Sequence, residues 1–130
     1  MVQAQQRQVL IVDDDPDIRE TFAEALEYAG YAVVSAANGA EALEVLRDLS
    51  PCAILLDLMM PVLDGFEFRL RQRLDPRLAQ IPVVVISAGR RADPKVIDAD
   101  AYLDKPLKLA ALLEALERCC RSKPGERVAS

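Results

Sequence analysis

A chain of 130 residues, 52% of them hydrophobic, supplies one sizeable core, so one compact domain is expected. Its 16 basic and 21 acidic residues leave a net charge of −5, which argues against a broad phosphate-backbone footprint and therefore against direct nucleic-acid binding. With no histidine, imidazole bases, imidazole metal ligands and a phosphohistidine of its own are excluded, and chemistry is left to carboxylates, hydroxyls and amines.

Met1 to Gln8 is polar and unlike a signal peptide. No apolar run approaches the ~20 residues a membrane span needs, so a cytoplasmic protein without membrane contact is expected. Cys52, Cys119 and Cys120 are an odd number without framework spacing, which reads as free thiols in a reducing compartment.

Short apolar runs alternate with segments of 3.6-residue periodicity, the pattern of an α/β fold with a doubly wound, five-stranded parallel sheet and helices on both faces. The first strand spans Val9 to Val12. Asp15-Pro16 then gives an N-cap acceptor and a first-turn proline, opening a helix with the inward stripe Ile18, Phe22, Ala25, Leu26 and Ala29, stopped by Gly30. After a strand from Ala32 to Ser35, Asn38-Gly39 starts a second helix that buries Ala42, Leu43 and Leu46 and ends before Pro51. The third strand, Ala53 to Leu56, leads to a helix from about Phe66 to Leu74, stopped ahead of Pro76.

A fourth strand runs from Val83 to Ile86. The following segment, Arg90 to Asp98, contains Pro94 and lacks an apolar stripe, so one turn or an irregular loop is expected there. The fifth strand is Ala101 to Leu103, and the last helix, about Leu107 to Arg121, carries Leu109, Leu112, Leu113, Leu116 and Cys120 at helical spacing, which puts Cys120 in the core. The domain is expected over residues 8–121, with residues 1–7 and 122–130 as flexible termini.

Polar residues fall at the strand ends: Asp13-Asp14-Asp15 after the first, Asp57 after the third, Ser87 after the fourth, Asp104-Lys105 after the fifth. In an open α/β sheet these ends share the edge where ligands bind. Alone, each has an ordinary explanation. A strand-end Asp is usually a turn residue or a cap, which suits Asp15 best, and a lone Ser or Lys is a solvated loop group. Together, the carboxylates repel by about 1 kcal/mol per pair at 4 Å in water and about 4 at an effective dielectric of 20, so they need a cation. Oxygen ligands without His or thiolate suit Mg²⁺. Flanked by Mg²⁺ and Lys105, Asp57 has the makings of a carboxylate nucleophile toward phosphorus.

The strings VLIVDDDPDIRE, AANGAEALEVL, AILLDLMMPVLDGFEF, IPVVVISA and AYLDKP resemble the receiver domain of bacterial two-component response regulators, over about residues 8 to 121. The resemblance implies a flavodoxin-like strand order 2-1-3-4-5 and a signalling switch rather than an enzyme that turns over external substrates. It implies Asp13, Asp14, Asp57 and the Met59 carbonyl as Mg²⁺ ligands, and Asp57 as acceptor of a phosphoryl group from a histidine kinase or phosphotransfer protein. Lys105 would contact the phosphoryl oxygens. Ser87 would hydrogen-bond them and let the switch aromatic Tyr102 turn inward, informing a downstream protein or effector domain. A cis bond before Pro106 is also implied.

The interval from Ser87 to Lys105 is about four residues shorter than the family usually shows, close to one helical turn, so the fourth helix is expected to be shortened. Asp98 stands where glycine is common. Neither Met59 nor Gly89, the two variable positions beside the site, offers an acid or carboxamide to orient a water, so slow to intermediate self-dephosphorylation is expected. An aspartate-nucleophile phosphatase would need a general acid at Met59, and a flavin module would not place Asp13-Asp14-Asp15-Pro16 in its phosphate loop. A docking module of the same fold, acting without phosphorylation, is the remaining alternative. With no effector domain after the last helix, a stand-alone receiver and a piece of a longer protein are both compatible with the sequence.

Overall fold

A computed structural model describes residues 7–58, 62–88, 99–105 and 108–121, with 87, 88, 104, 105 and 121 described by their backbones alone. The strands are β1 (Gln8–Val12), β2 (Ala32–Ala36), β3 (Ala53–Asp57), β4 (Val83–Ala88) and β5 (Ala101–Lys105). They pair in parallel in the order β2-β1-β3-β4-β5, as the family resemblance implies. The helices are α1 (Pro16–Tyr28), α2 (Gly39–Val45), α3 (Gly65–Leu74), α4 (Pro76–Ala79) and α5 (Leu109–Arg121).

Strand alternation sorts the core into two layers. Leu10, Val12, Ile54, Leu56, Val83 and Val85 pack with Ala42, Leu46, Phe68 and Leu78 of the α2–α4 side. Val9, Ile11, Ala53, Leu55, Val84 and Ile86 pack with Leu26 of α1 and with Leu112, Ala115, Leu116 and Cys120 of α5. The central strands β1 and β3 are accordingly apolar along nearly their whole length, as a sheet covered on both faces requires.

The helix starts follow their caps. Asp15, Asn38, Asp64 and Asp75 each accept a backbone N–H from the first turn of α1, α2, α3 and α4. Gly30, at φ 105°, takes the left-handed backbone that ends α1. Ala29 is exposed rather than part of the inward stripe, because α1 has ended at Tyr28 and Ala29 is its C-cap. Helix α4 is an addition to the sequence reading: Asp75-Pro76 starts a helix as well as ending one. The shortened helix expected over 90–98 lies outside the described residues.

The expectation of three free thiols is corrected. Cys52 and Cys120 form a disulfide across 68 residues, with Cα atoms 4.9 Å apart, and only Cys119 is free. The reason is topological: Cys52 immediately precedes the central strand β3, and α5 lies over that strand with its last turn at the same end. Cys120 is in the core as expected.

Candidate functional site

The parallel register aligns the strand ends that carry the polar residues. Val12 pairs with Leu56, so the next residues, Asp13 and Asp57, leave neighbouring strands side by side. Asp57 pairs with Ile86, putting Ser87 one step beyond it on β4, and Ser87 and Ala88 pair with Asp104 and Lys105 on β5. The backbones of Ser87 and Lys105 thus reach the expected edge, while their side chains, Met59, Gly89 and Pro106 lie outside the described residues.

Asp13, Asp14 and Asp57 converge: one carboxylate oxygen from each lies within 4.8 Å of the others. Asp13 is 2% exposed and Asp57 5%, so two of the three charges are withdrawn from water. Burying like charges this closely is costly unless a cation joins them. The donors are carboxylate oxygens, with no imidazole in the chain and no thiolate among them, which fits a hard divalent cation such as Mg²⁺.

Local hydrogen bonds shape the first loop. The Asp13 N–H donates to the carbonyl of Ala36 (3.1 Å), continuing the β1–β2 ladder by one residue. Asp13 Oδ1 accepts from the Asp15 N–H (2.9 Å) and Asp15 Oδ1 from the Asp17 N–H (2.9 Å), which confirms Asp15 as the cap of α1. On the other side, the N–H of Gly65 donates to the Leu58 carbonyl (3.0 Å), folding the start of α3 back against the end of β3. Val62, 82% exposed and at φ 70°, takes left-handed backbone in the intervening turn.

Tyr102 is half-buried against the α2–α4 layer, and its hydroxyl accepts the backbone N–H of Ala99 (2.8 Å). Three polar residues near these elements escaped the sequence reading. Gln72 is fully buried in α3 and donates to the carbonyls of Leu78 (2.8 Å) and Ile81 (3.1 Å), tying α3 to the connection into β4. Asp100 Oδ2 accepts from the Val83 N–H (2.8 Å) beside the first residues of β4 and β5. Arg19 donates from Nη1 to the Asp13 carbonyl (2.7 Å). Only Arg19 left a signal in the sequence, as a cation at the fourth position of a helix whose N-terminal dipole end repels it.

A family model described as the response regulator receiver domain matches residues 9–117. The chain is 39% identical over 125 residues to the phosphate regulon transcriptional regulatory protein PhoB of Pseudomonas aeruginosa, an alignment covering 91% of the chain and 54% of that relative. It therefore spans about half the length of that protein. Among solved structures, the receiver domain of a Pseudomonas aeruginosa sensor histidine kinase, with a magnesium ion coordinated in its active-site cleft, superposes with a TM-score of 0.83 at 27% identity, covering 91% of this chain and 100% of that one. The chemotaxis response regulator CheY4 of Vibrio cholerae superposes with a TM-score of 0.79 at 32% identity, covering 88% and 99%. The chain belongs to the response regulator receiver domain family.

Proposed function

We propose that the chain is a phosphoacceptor switch in which Asp57 receives a phosphoryl group from a histidine kinase or a phosphotransfer protein. The observation that carries this reading is the convergence of Asp13, Asp14 and Asp57 within 4.8 Å at the end of the central strands. In the transfer, a carboxylate oxygen of Asp57 bonds to phosphorus while the P–N bond of the donor phosphohistidine breaks, and the bonding pair leaves with the imidazole nitrogen. A Mg²⁺ ion held by Asp13, Asp14, Asp57 and the Met59 carbonyl would supply charge neutralisation for the phosphoryl oxygens. Lys105 offsets the remaining negative charge, and Ser87 hydrogen-bonds the transferred group. Tyr102 then reports the event by exchanging its contact with Ala99 for a deeper position.

Residues 8–121 act as the receiver unit in this reading. It works in the cytoplasm, through a downstream protein or effector domain, and does not itself touch nucleic acid or membrane. Among the described residues no helix is long and apolar enough to cross a membrane. The chain turns over no external substrate, and its acyl phosphate decays at a slow to intermediate rate, since neither Met59 nor Gly89 offers an acid or carboxamide to orient a water.

Incubation with Mg²⁺ and a small acyl or amido phosphate, followed by mass spectrometry, tests the assignment. One phosphoryl group is expected on wild type and none on Asp57→Asn. An unlabelled wild type, or equal labelling of the variant, would favour a docking module that works without phosphorylation.

A further inference from the structure

We infer that Arg19 is a positioning residue for the metal-binding loop: its guanidinium holds the one peptide plane that joins Asp13 to Asp14. The inference rests on the Mg²⁺ reading above and deepens it. Arg19 Nη1 donates to the carbonyl oxygen of Asp13 at 2.7 Å, a short, charge-assisted hydrogen bond across six residues of sequence. That oxygen belongs to the same rigid peptide unit as the Asp14 N–H. Holding that unit's orientation restrains ψ of Asp13 and φ of Asp14, the two soft torsions that set the direction of one Cα–Cβ bond relative to the other. The bond therefore fixes the two ligands relative to each other, and the Asp15 N–H to Asp13 Oδ1 bond (2.9 Å) fixes the first of them further.

Placement of the arginine supports this role over a general one. Arg19 lies at the fourth position of α1, counting from Pro16, where the dipole of the helix disfavours a cation. Its hydrogen bond reaches a main-chain carbonyl rather than a carboxylate, so ion pairing with the acidic cluster does not explain the geometry. The side chain is half-buried, and its backbone N–H is engaged separately with the Asp15 carbonyl (3.0 Å).

Two physical effects of removing Arg19 have opposite signs, which makes the inference testable. Loss of a cation beside three carboxylates strengthens Mg²⁺ binding through simple electrostatics. Loss of the carbonyl tether weakens it, because the free loop must be ordered when the ion binds, and outer-shell partners of metal ligands are commonly worth about tenfold or more in affinity.

The experiment is titration calorimetry of Mg²⁺ into the wild type, Arg19→Met and Arg19→Lys, at low and high monovalent salt, with thermal denaturation of each protein in chelator. Arg19→Met keeps an apolar stem of similar length but removes the donors and the charge. It is expected to bind Mg²⁺ about tenfold more weakly at both salt concentrations while melting as a folded protein. Arg19→Lys, which keeps the charge and one donor direction, is expected to recover part of that loss. Unchanged or tighter binding by Arg19→Met would overturn the positioning role. Failure of wild type to bind Mg²⁺ would instead remove the metal reading on which it rests.

Discussion

A methyl group at Gly65 would lie 2.7 Å from the Cα of Leu58 and 2.8 Å from the carbonyl oxygen of Asp57. Both are backbone atoms, so no side-chain rotation relieves the contact, and the start of α3 must move away from the end of β3. Gly65→Ala should therefore lower stability by about 2 kcal/mol and displace the Asp57 carboxylate as well. Denaturant midpoints and acyl phosphate labelling, read on the same protein, would check this. A variant as stable and as readily labelled as wild type would show that the loop can absorb the methyl. Cys119 is a second residue whose behaviour follows from its surroundings. Burial, reinforced by the charge of Asp100 and opposed by Arg118, raises its thiol above the ordinary 9.0. The neutral thiol is favoured in the fold, so this contribution is present below pH 9.0 and is lost as pH rises through the folded value. With Cys52 and Cys120 bonded, Cys119 is the remaining thiol, and its alkylation at pH 8 should be slower than that of a small free thiol. Equal rates would contradict the burial.

Between elements, the disulfide is the feature with the largest expected effect. Closing a 68-residue separation removes unfolded-chain entropy worth about 4 kcal/mol in the loop-closure account, with real bridges often giving less. Cys52→Ser combined with Cys120→Ser should therefore lower the urea midpoint markedly and make it insensitive to reductant, whereas wild type responds to it. Phosphoryl labelling should change little, because Cys52 precedes β3 and Asp57 ends it, about 17 Å apart for a five-residue rise. Coincident midpoints for wild type with and without reductant would show that the bond contributes nothing. The bridge was illegible in the sequence because the pairing depends on α5 being laid over β3, a tertiary fact. Element boundaries erred for a simpler reason. The third, fourth and fifth strands are expected to end at their last apolar residues, Leu56, Ile86 and Leu103, yet β3, β4 and β5 continue through Asp57, Ser87 and Lys105, since the ladder pairs backbones irrespective of side chain. Pro76 is expected only as a stop for α3, yet Asp75-Pro76 repeats the cap-and-proline start of Asp15-Pro16 and opens α4.

For the whole molecule, the alternation of buried strands with amphipathic helices was enough to give a parallel sheet, and a parallel sheet sends every strand end to one edge. That is why Asp13, Asp14 and Asp57 were legible as a cluster from positions far apart in the chain, whereas the side-chain to backbone contacts of Arg19, Gln72 and Asp100, which depend on how the elements pack, were not. The same convergence couples the site to global stability. Two buried carboxylates and an exposed one oppose folding through mutual repulsion, and an ion that binds them only in the native arrangement must stabilise that arrangement. At a hundred times its dissociation constant Mg²⁺ should add about 2.7 kcal/mol, and a chelator should remove it. The melting temperature of wild type should thus rise with Mg²⁺ and level off only logarithmically. Asp57→Asn and Asp13→Asn, each lacking one of the three carboxylates, should lose most of that response. A scan in which both variants gain as much from Mg²⁺ as wild type would place the ion elsewhere on the acidic surface and separate the stability effect from the carboxylate cluster.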